Sequence, residues 1–509
     1  MNADLLPPNG LLLRLAGAVS RAEERLRFPE TAALGALGTL LVAVGGTLGG
    51  SPFDLRQAGA WFFGMASDSG PARVLGAVAL YAGLVVSVVA WLQLVRLARS
   101  EPVRLRQLAV VFVAWVLPLV VAPPLFSRDA YSYAADGQMA AEGVSPYRYG
   151  PLVLADPSYV EKVSPIWQAT PTPYGPLFVA IAEGDIDATG HGEVAAIELL
   201  RLEALAGVVL AGIAVADLAG RAGYRPHLAV TLAVLNPVTL YDLISPGHND
   251  ALMMGFLLAG LAVASRGKKV AGVLLCAVGA AIKAPALIGA VYIGWHWQPG
   301  PVPWRRRGAH VAAALGLAAV AIGVVSSGLG FGWSWVWNLG TPAIVHSVTT
   351  PTTAVSDLLS QVAGLVGLGG SGSVLLSFFR AVGLLAAAAA CAWCLWRSRA
   401  SNATWYAGLS MLAVAALSPT LQPWYVAWGV MAMAVLPGRG TQKLLMAVSA
   451  YMIVATIPDY EPLLSSVPVL GPAFAIAVAV LCALSPTDVP RQLAARLWRS
   501  ASPSVRVPG

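Results

Sequence analysis

From Thr31 to Leu484 the chain is a succession of apolar runs separated by polar links. A spanning helix needs about 20 predominantly apolar residues, fewer where the segment is broken or shielded, so runs of this kind predict an all-α polytopic membrane protein. Composition agrees: 57% of the 509 residues are hydrophobic and 11% are charged, where soluble domains carry roughly a quarter charged residues. The expected spans are Thr31–Leu48, Ala72–Val95, Gln107–Leu125, Glu198–Leu218, Leu228–Ile244, Asp250–Ser265, Val270–Ala281, Pro285–Trp297, Ala309–Leu329, Val374–Trp396, Thr404–Leu417, Pro423–Leu436, Thr441–Ile457 and Val469–Leu484, about fourteen in all.

The basic residues orient this array. Arg14 to Arg27, Arg96 to Arg106, Arg221 and Arg225, Arg266 to Lys269, Arg305 to Arg307, Arg397 and Arg399, Arg439 and Lys443, and Arg491 to Arg506 fall in links that alternate onto one face. Under the positive-inside rule that face is cytoplasmic. The net charge of +7 therefore reflects orientation and not nucleic-acid binding. Residues 1–30 and 485–509 are then expected inside, and residues 126–197 form a long extracytoplasmic loop within a single integral-membrane domain. Met1 to Gly10 lacks the apolar core of a removable signal peptide. The four cysteines lie inside apolar runs, so neither a disulfide framework nor a metal cluster is expected; the Cys391/Cys394 pair reads as packing.

The opposite face collects the polar motifs: Ser127 to Gly192, Ser245 to Asp250, Trp333 to Thr353, Ser418 to Tyr425 and Pro458 to Glu461. Long outer links that mix carboxylates, imidazoles and aromatics suit a catalytic cavity opening outward, although Trp, Tyr, Pro and Gly also punctuate helix ends at a membrane interface. Pro176 to Ala182 is too short to cross, so Tyr174 to Asp187 is expected to lie along the surface, and Gly364 to Gly372 as a re-entrant or surface piece.

Asp129 follows Arg128 directly after a span, where a carboxylate can accept a proton or cap a helix. Lys283 is isolated in the apolar stretch Val270 to Trp297 beside the helix breaker Pro285; a mid-membrane lysine costs about 2.5–3.5 kcal/mol unless paired or wetted, so it faces a polar cavity or an anion, or snorkels to the surface. His248, Asn249 and Asp250 offer hydrogen-bonding groups between two spans, and His346 stands near the hydroxyls of Thr349 to Thr353. Gln422, Trp424 and Tyr425 provide an amide and stacking faces for a sugar ring. The Asp185 to Gly190 stretch lacks calcium-loop spacing, and no nucleotide fold or Ser-His-Asp pattern is visible. A soluble nucleotide sugar does not reach an outward site, so a membrane-carried donor is required.

Arg128-Asp129-x-Tyr131-Ser132-Tyr133-Ala134, Pro146-Tyr147, Thr172-Pro173-Tyr174-Gly175-Pro176, Gly247-His248-Asn249-Asp250-Ala251-Leu252-Met253, Lys283-Ala284-Pro285-Ala286-Leu287, Pro351-Thr352-Thr353-Ala354 and Ser418-Pro419-x-x-Gln422-Pro423-Trp424-Tyr425 resemble the polyprenol-phosphomannose-dependent α-1,6-mannosyltransferases of actinobacterial lipomannan synthesis, the MptB type. The resemblance runs from about Arg128 to Tyr425 and, in topology, over most of the chain. It implies a GT-C glycosyltransferase bundle with surface helices over an extracytoplasmic cavity, in the plasma membrane. The implied donor is a polyprenyl (decaprenyl) phosphomannose. The implied acceptor is a lipid-anchored mannan of the phosphatidylinositol-mannoside or lipomannan type, on the way to lipoarabinomannan. In these terms Asp129 is the catalytic base; Arg128, His248, Lys283 and His346 face the donor phosphate; and Tyr131, Tyr133, Tyr174, Asn249, Asp250, Gln422, Trp424 and Tyr425 face sugar. No metal or other cofactor is expected. The acidic stretch Glu183 to Glu193 departs from the pattern and bears on acceptor recognition. Transfer of another sugar such as arabinose, or a polyprenyl-lipid transporter or flippase, are the competing readings; no internal repeat supports the transporter.

Overall fold

The computed structural model describes residues 27–48, 70–346, 350–365 and 372–455. Among them there is no strand, and sixteen α-helices of eight or more residues make the framework. They are α1 Phe28–Thr47, α2 Gly70–Ser100, α3 Leu105–Val121, α4 Asp129–Ala141, α5 Pro176–Ala188, α6 Glu193–Arg221, α7 Pro226–Ala233, α8 Asp250–Ser265, α9 Lys269–Ile282, α10 Leu287–Trp295, α11 Trp304–Gly328, α12 Pro351–Leu365, α13 Gly372–Arg397, α14 Ala403–Leu417, α15 Val426–Met433 and α16 Arg439–Ala455. The expected span Val469–Leu484, the link Pro458 to Glu461, the 485–509 tail, residues 366–371 and most of residues 1–30 lie outside the described residues.

Five helices, α1, α2, α6, α11 and α13, are long and apolar enough to cross a membrane, and a sixth crossing arises if the bent pair Pro226–Ala233 and Pro237–Ile244 counts as one. The expectation of about fourteen spans is not met among the described residues. Four expected spans are helical where anticipated but short: Leu105–Val121, Asp250–Ser265, Lys269–Ile282 and Ala284–Trp295 hold 10–17 residues each. At 1.5 Å per residue they reach at most roughly 26 Å, less than the roughly 30 Å hydrocarbon core.

The breaks have local causes. Pro237 cannot donate to the preceding turn; the Asn236 side chain accepts from Val238 N–H at 2.9 Å, and the chain bends by 51° into a π-helical turn, Leu240–Ile244. Pro285 likewise ends α9, and Lys283 takes up an extended conformation at its C-terminus. These interruptions put polar side chains in mid-bundle.

Helix α1 packs on α2 and α3, α6 on α8, α8 on α9, and α14 on α13 and α15. The short helix α5 runs against α4, burying Phe178, Val179, Ala182 and Ile186 while Gly184 and Asp187 stay exposed. It is thus a packed accessory helix, as its short apolar stretch requires. Its entry turn is pinned: Gly175 N–H donates to Ile282 O at 2.9 Å, and a Cβ on Gly175 would stand 2.2 Å from Ala281 O. No side chain fits there without moving backbone. Gly175→Val is expected to destabilise the protein by about 1–3 kcal/mol, read as a lowered unfolding midpoint of the detergent-purified protein; an unchanged midpoint would show that the turn is not seated on α9.

Candidate active site

The turn after α3 delivers the first site residue. Phe126 adopts a left-handed backbone conformation (φ +69°), which reverses the chain, and Ser127 Oγ accepts the N–H of Asp129 at 3.1 Å. A non-glycine residue there is strained and persists only where its surroundings hold it. Asp129 opens α4, and one turn later Tyr133 places its hydroxyl 3.4 Å from Asp129 Oδ2.

The second strand of the site is the link between the π-helical turn and α8. Gly247, at φ +75°, turns the chain so that His248 points inward, fully buried, with Nδ1 3.4 Å from Asp129 Oδ2 and 3.3 Å from the Tyr133 hydroxyl. Burial, and then the charge of Lys283, push the imidazole well below its ordinary pKa, so it is neutral. A neutral ring facing a carboxylate carries its proton on Nδ1, which leaves Nε2, buried and without a hydrogen-bond partner, as an acceptor. Any contact of His248 with a donor phosphate would therefore be a hydrogen bond and not an ion pair, because desolvation beside a lysine removes the charge. Trp424 stacks on the His248 ring, 4.0 Å between centroids at 22°. Neighbouring Asn249 is buried with both amide atoms unpartnered.

The third piece is Lys283. Its ammonium neither snorkels nor stands alone: it donates to Asp250 Oδ2 at 2.7 Å, while Trp428 Nε1 donates to Asp250 Oδ1 at 2.7 Å. Both oxygens of Asp250, fully buried, are thus engaged within the protein. Around the ammonium stand the rings of Tyr425, Tyr174 and Trp428 at 5.0, 5.5 and 5.9 Å, distances at which a cation is attracted by an aromatic face. Tyr425 and Trp428 stack at 4.5 Å, and Tyr174 meets Tyr133 and Phe178 edge to face at 5.0 and 5.6 Å. Asp129, Tyr133, Tyr174, His248, Asp250, Lys283, Trp424, Tyr425 and Trp428 therefore form one connected cluster.

Other expected residues lie elsewhere. Tyr131 sits two positions from Asp129 and Tyr133 and so on another face of α4; it packs under Lys162, 5.8 Å from its ring, where Lys162 pairs with Glu193 at 2.6 Å. His346 is exposed and pairs with Asp357 at 3.0 Å. Arg128 precedes α4 as its cap residue, and Gln422 starts the Pro423–Tyr425 turn through its carbonyl, which accepts Tyr425 N–H at 3.1 Å. Two ring residues were not anticipated. Trp428 follows Tyr425 by three positions, a helical spacing that puts both on one face, and Phe178 begins the buried stripe of α5. No group of three or more metal-ligating side chains occurs among the described residues.

A second carboxylate lies on α4, one turn past Tyr133. Asp136 is buried; burial lifts its carboxyl to about 7, with the Thr172 hydroxyl acting against the rise and Asp129 adding to it.

Two family models match the chain: an alpha-(1->6)-mannopyranosyltransferase N-terminal domain over residues 32–299 and an MptB C-terminal domain over residues 352–486. The chain belongs to the alpha-(1->6)-mannopyranosyltransferase family. Membership makes it a glycosyltransferase and bears out the resemblance read from its motifs. Alpha-(1->6)-mannopyranosyltransferase A of Mycobacterium tuberculosis is 32% identical over 84% of both chains, and a second alpha-(1->6)-mannopyranosyltransferase of that organism is 30% identical over 96% of this chain and 93% of its own. Alpha-(1->6)-mannopyranosyltransferase B of Corynebacterium glutamicum is 28% identical over 81% of this chain and 74% of its own. No solved structure matches. The site of this mannopyranosyltransferase-family chain joins both matched regions: Asp129, His248, Asp250 and Lys283 come from the first, Trp424, Tyr425 and Trp428 from the second.

Two outcomes follow from the geometry. Asp250→Asn leaves Lys283 half-buried and uncompensated and is expected to cost about 3–5 kcal/mol, most of it recovered in Asp250→Asn/Lys283→Met; equal thermal midpoints for single and double variants would show that the pair is not coupled. For Asp136 the folded protein keeps a proton between about 3.8 and about 7 that the unfolded chain has lost, so this residue lowers stability as pH rises through that window and not beyond it. Asp136→Asn should flatten that slope by up to about 4 kcal/mol; identical pH-stability curves for the two proteins would contradict a buried, protonated Asp136.

Proposed function

We propose that this protein transfers mannose from a polyprenyl phosphomannose to a lipid-anchored mannan, forming α-1,6 linkages by one inverting displacement at the extracytoplasmic surface of the plasma membrane. The observation that carries this reading is the convergence of a partly exposed carboxylate, a neutral imidazole and a caged ammonium within one aromatic-walled cluster. Each matches a need of the reaction. The names of the relatives supply the sugar and the linkage, and the positive-inside alternation in the sequence supplies the orientation, with both termini cytoplasmic.

In the proposed step the acceptor hydroxyl oxygen attacks the anomeric carbon while its proton passes to Asp129. The bond from that carbon to the phosphate oxygen breaks, and the electron pair leaves with polyprenyl phosphate. A β-linked donor gives an α product without a covalent enzyme intermediate. His248 and Tyr133 orient the Asp129 carboxylate. Lys283 uses one N–H on Asp250 and keeps two for phosphate oxygens, where negative charge grows as the bond breaks. Arg128, one residue before the base, adds positive charge on the donor side. Tyr174, Trp424 and Tyr425 offer faces to pyranose rings, and the unpartnered amide of buried Asn249 suits a sugar hydroxyl. Asp250, assigned to sugar by resemblance, serves instead as the counter-ion that holds Lys283.

The bundle is read as GT-C, with α4 and α5 as surface helices over the site and the shorter apolar helices shielded among the five longer ones. A polyprenyl-phosphate sugar other than mannose remains the second reading within the class, because the ring-lined walls do not by themselves choose between pyranose and furanose.

The test is incubation of membranes containing the protein with labelled polyprenyl phosphomannose and a synthetic α-1,6-mannoside, followed by linkage analysis. A lengthened α-1,6 product is expected, and Asp129→Asn should lower turnover by at least about 100-fold, the scale of a lost general base. Transfer from polyprenyl phosphoarabinose but not from the mannose donor would reassign the sugar, and near-parental turnover by well-expressed Asp129→Asn would remove that residue from the role.

A further inference from the structure

Arg201, in the third turn of α6, is among the largest fully buried side chains of the protein, and none of the reaction chemistry uses it. Its guanidinium donates to three carbonyls of the last turn and cap of α3: Ala122 O at 2.8 Å and Val120 O at 3.1 Å from one nitrogen, and Leu119 O from the other. Glu198, one turn earlier on α6, compensates its charge. The carbonyls at a helix C-terminus lack partners within the helix and carry partial negative charge, so a buried guanidinium fits them both by hydrogen bonding and by sign. Seven residues beyond Ala122 stands Asp129, and the chain reaches it through the left-handed Phe126, a conformation that needs to be held.

The stem of the same arginine supports the other half of the pair. Gly247, which turns the backbone into His248, lies so close that a Cβ there would stand 2.8 Å from Arg201 Cγ. One side chain therefore seats both turns: its head fixes the approach to Asp129 and its methylenes bear on the approach to His248. The Asp129 Oδ2 to His248 Nδ1 contact of 3.4 Å closes between those two turns.

We infer that Arg201 is a positioning residue for transfer, setting the register of Asp129 against His248 from beneath the site. It rests on the assignment of Asp129 and His248 proposed above. Lysine is a poor substitute, since an ammonium cannot present the planar fork that spans three carbonyls. Displacing a reacting group by about 1 Å can cost about 100-fold in rate without weakening substrate binding. The signature of a positioning role is consequently a fall in kcat with binding of polyprenyl phosphate retained, because Lys283 comes from a separate segment.

The experiment compares full-length Arg201→Met, Arg201→Lys, Gly247→Ala and the Arg201→Met/Gly247→Ala double variant in the mannosyl transfer assay, with polyprenyl phosphate binding measured on each. Asp129→Asn and Lys162→Met, which breaks a different buried ion pair, are run alongside. For Arg201→Met a loss of about 10- to 100-fold in kcat is expected, with the dissociation constant for polyprenyl phosphate unchanged and part of the activity restored in Arg201→Lys. Gly247→Ala should lose kcat in the same way, and the double variant should be little worse than Arg201→Met, because both changes act on one seat. Lys162→Met should lower thermal stability and leave kcat of the folded protein in place. Parental kcat in folded Arg201→Met, or multiplying losses in the double variant, overturns the inference. Should Arg201→Met not fold, Arg201→Lys decides: reduced kcat with intact polyprenyl phosphate binding supports the seat, and parental kcat refutes it. Failure of Asp129→Asn to lose turnover overturns the site assignment itself and this inference with it, whereas an inactive Asp129→Asn beside a fully active Arg201→Met refutes only the role of Arg201.

Discussion

A lysine placed inside an apolar bundle has to be compensated, and the way this chain compensates Lys283 organises the rest of the site. Pro285 ends the helix, Lys283 extends from the break, and its ammonium donates a hydrogen bond to Asp250 at 2.7 Å while Trp428 donates to the other carboxylate oxygen. Each of those groups arrives on a different element. The pair therefore fixes α8, α9 and α15 relative to one another, and the rings around the ammonium complete the enclosure. Burying such a pair seldom adds net stability over an apolar core. Its place where the two matched family regions meet fits a functional role for the charge.

The same electrostatics distributes labour within the site. Lys283 lies near enough to His248 to help keep the imidazole neutral, so the histidine acts as a hydrogen-bonding partner of Asp129 and does not compete with Lys283 for anions. In the proposed reaction the carboxylate is the proton acceptor and the ammonium the anion partner, which is the division an inverting transfer from a phosphate leaving group requires.

Much of the site was legible in the sequence because polar residues are conspicuous in an apolar chain. Asp129, His248, Lys283, Trp424 and Tyr425 were named from that contrast, Tyr133 and Tyr174 through the resemblance of the motifs, and the structure brings them into one cluster. The errors have physical sources. Tyr131 was grouped with Tyr133 although residues two apart on a helix do not share a face. His346 finds a nearer carboxylate in Asp357. Trp428 escaped notice because tryptophan in an apolar run reads as lipid-facing, and only its three-residue spacing from Tyr425 signalled a shared wall. The expected number of spans is not confirmed among the described residues for a related reason: an apolar run shows that a segment is lipid-soluble, not that its helix is long enough to cross, and a 16-residue helix such as α8 falls short of the bilayer thickness.

The central claim is that the caged ammonium serves the donor phosphate, and it is tested most directly by polyprenyl phosphate binding to Asp250→Asn/Lys283→Met, which removes the charge without stranding a buried partner. Loss of one charge-assisted contact of about 1.5–3 kcal/mol predicts a dissociation constant raised roughly 10- to 150-fold, with affinity for a neutral α-1,6-mannoside little changed. An unchanged dissociation constant for polyprenyl phosphate in the folded double variant would contradict the account and leave Lys283 as a structural element of the bundle.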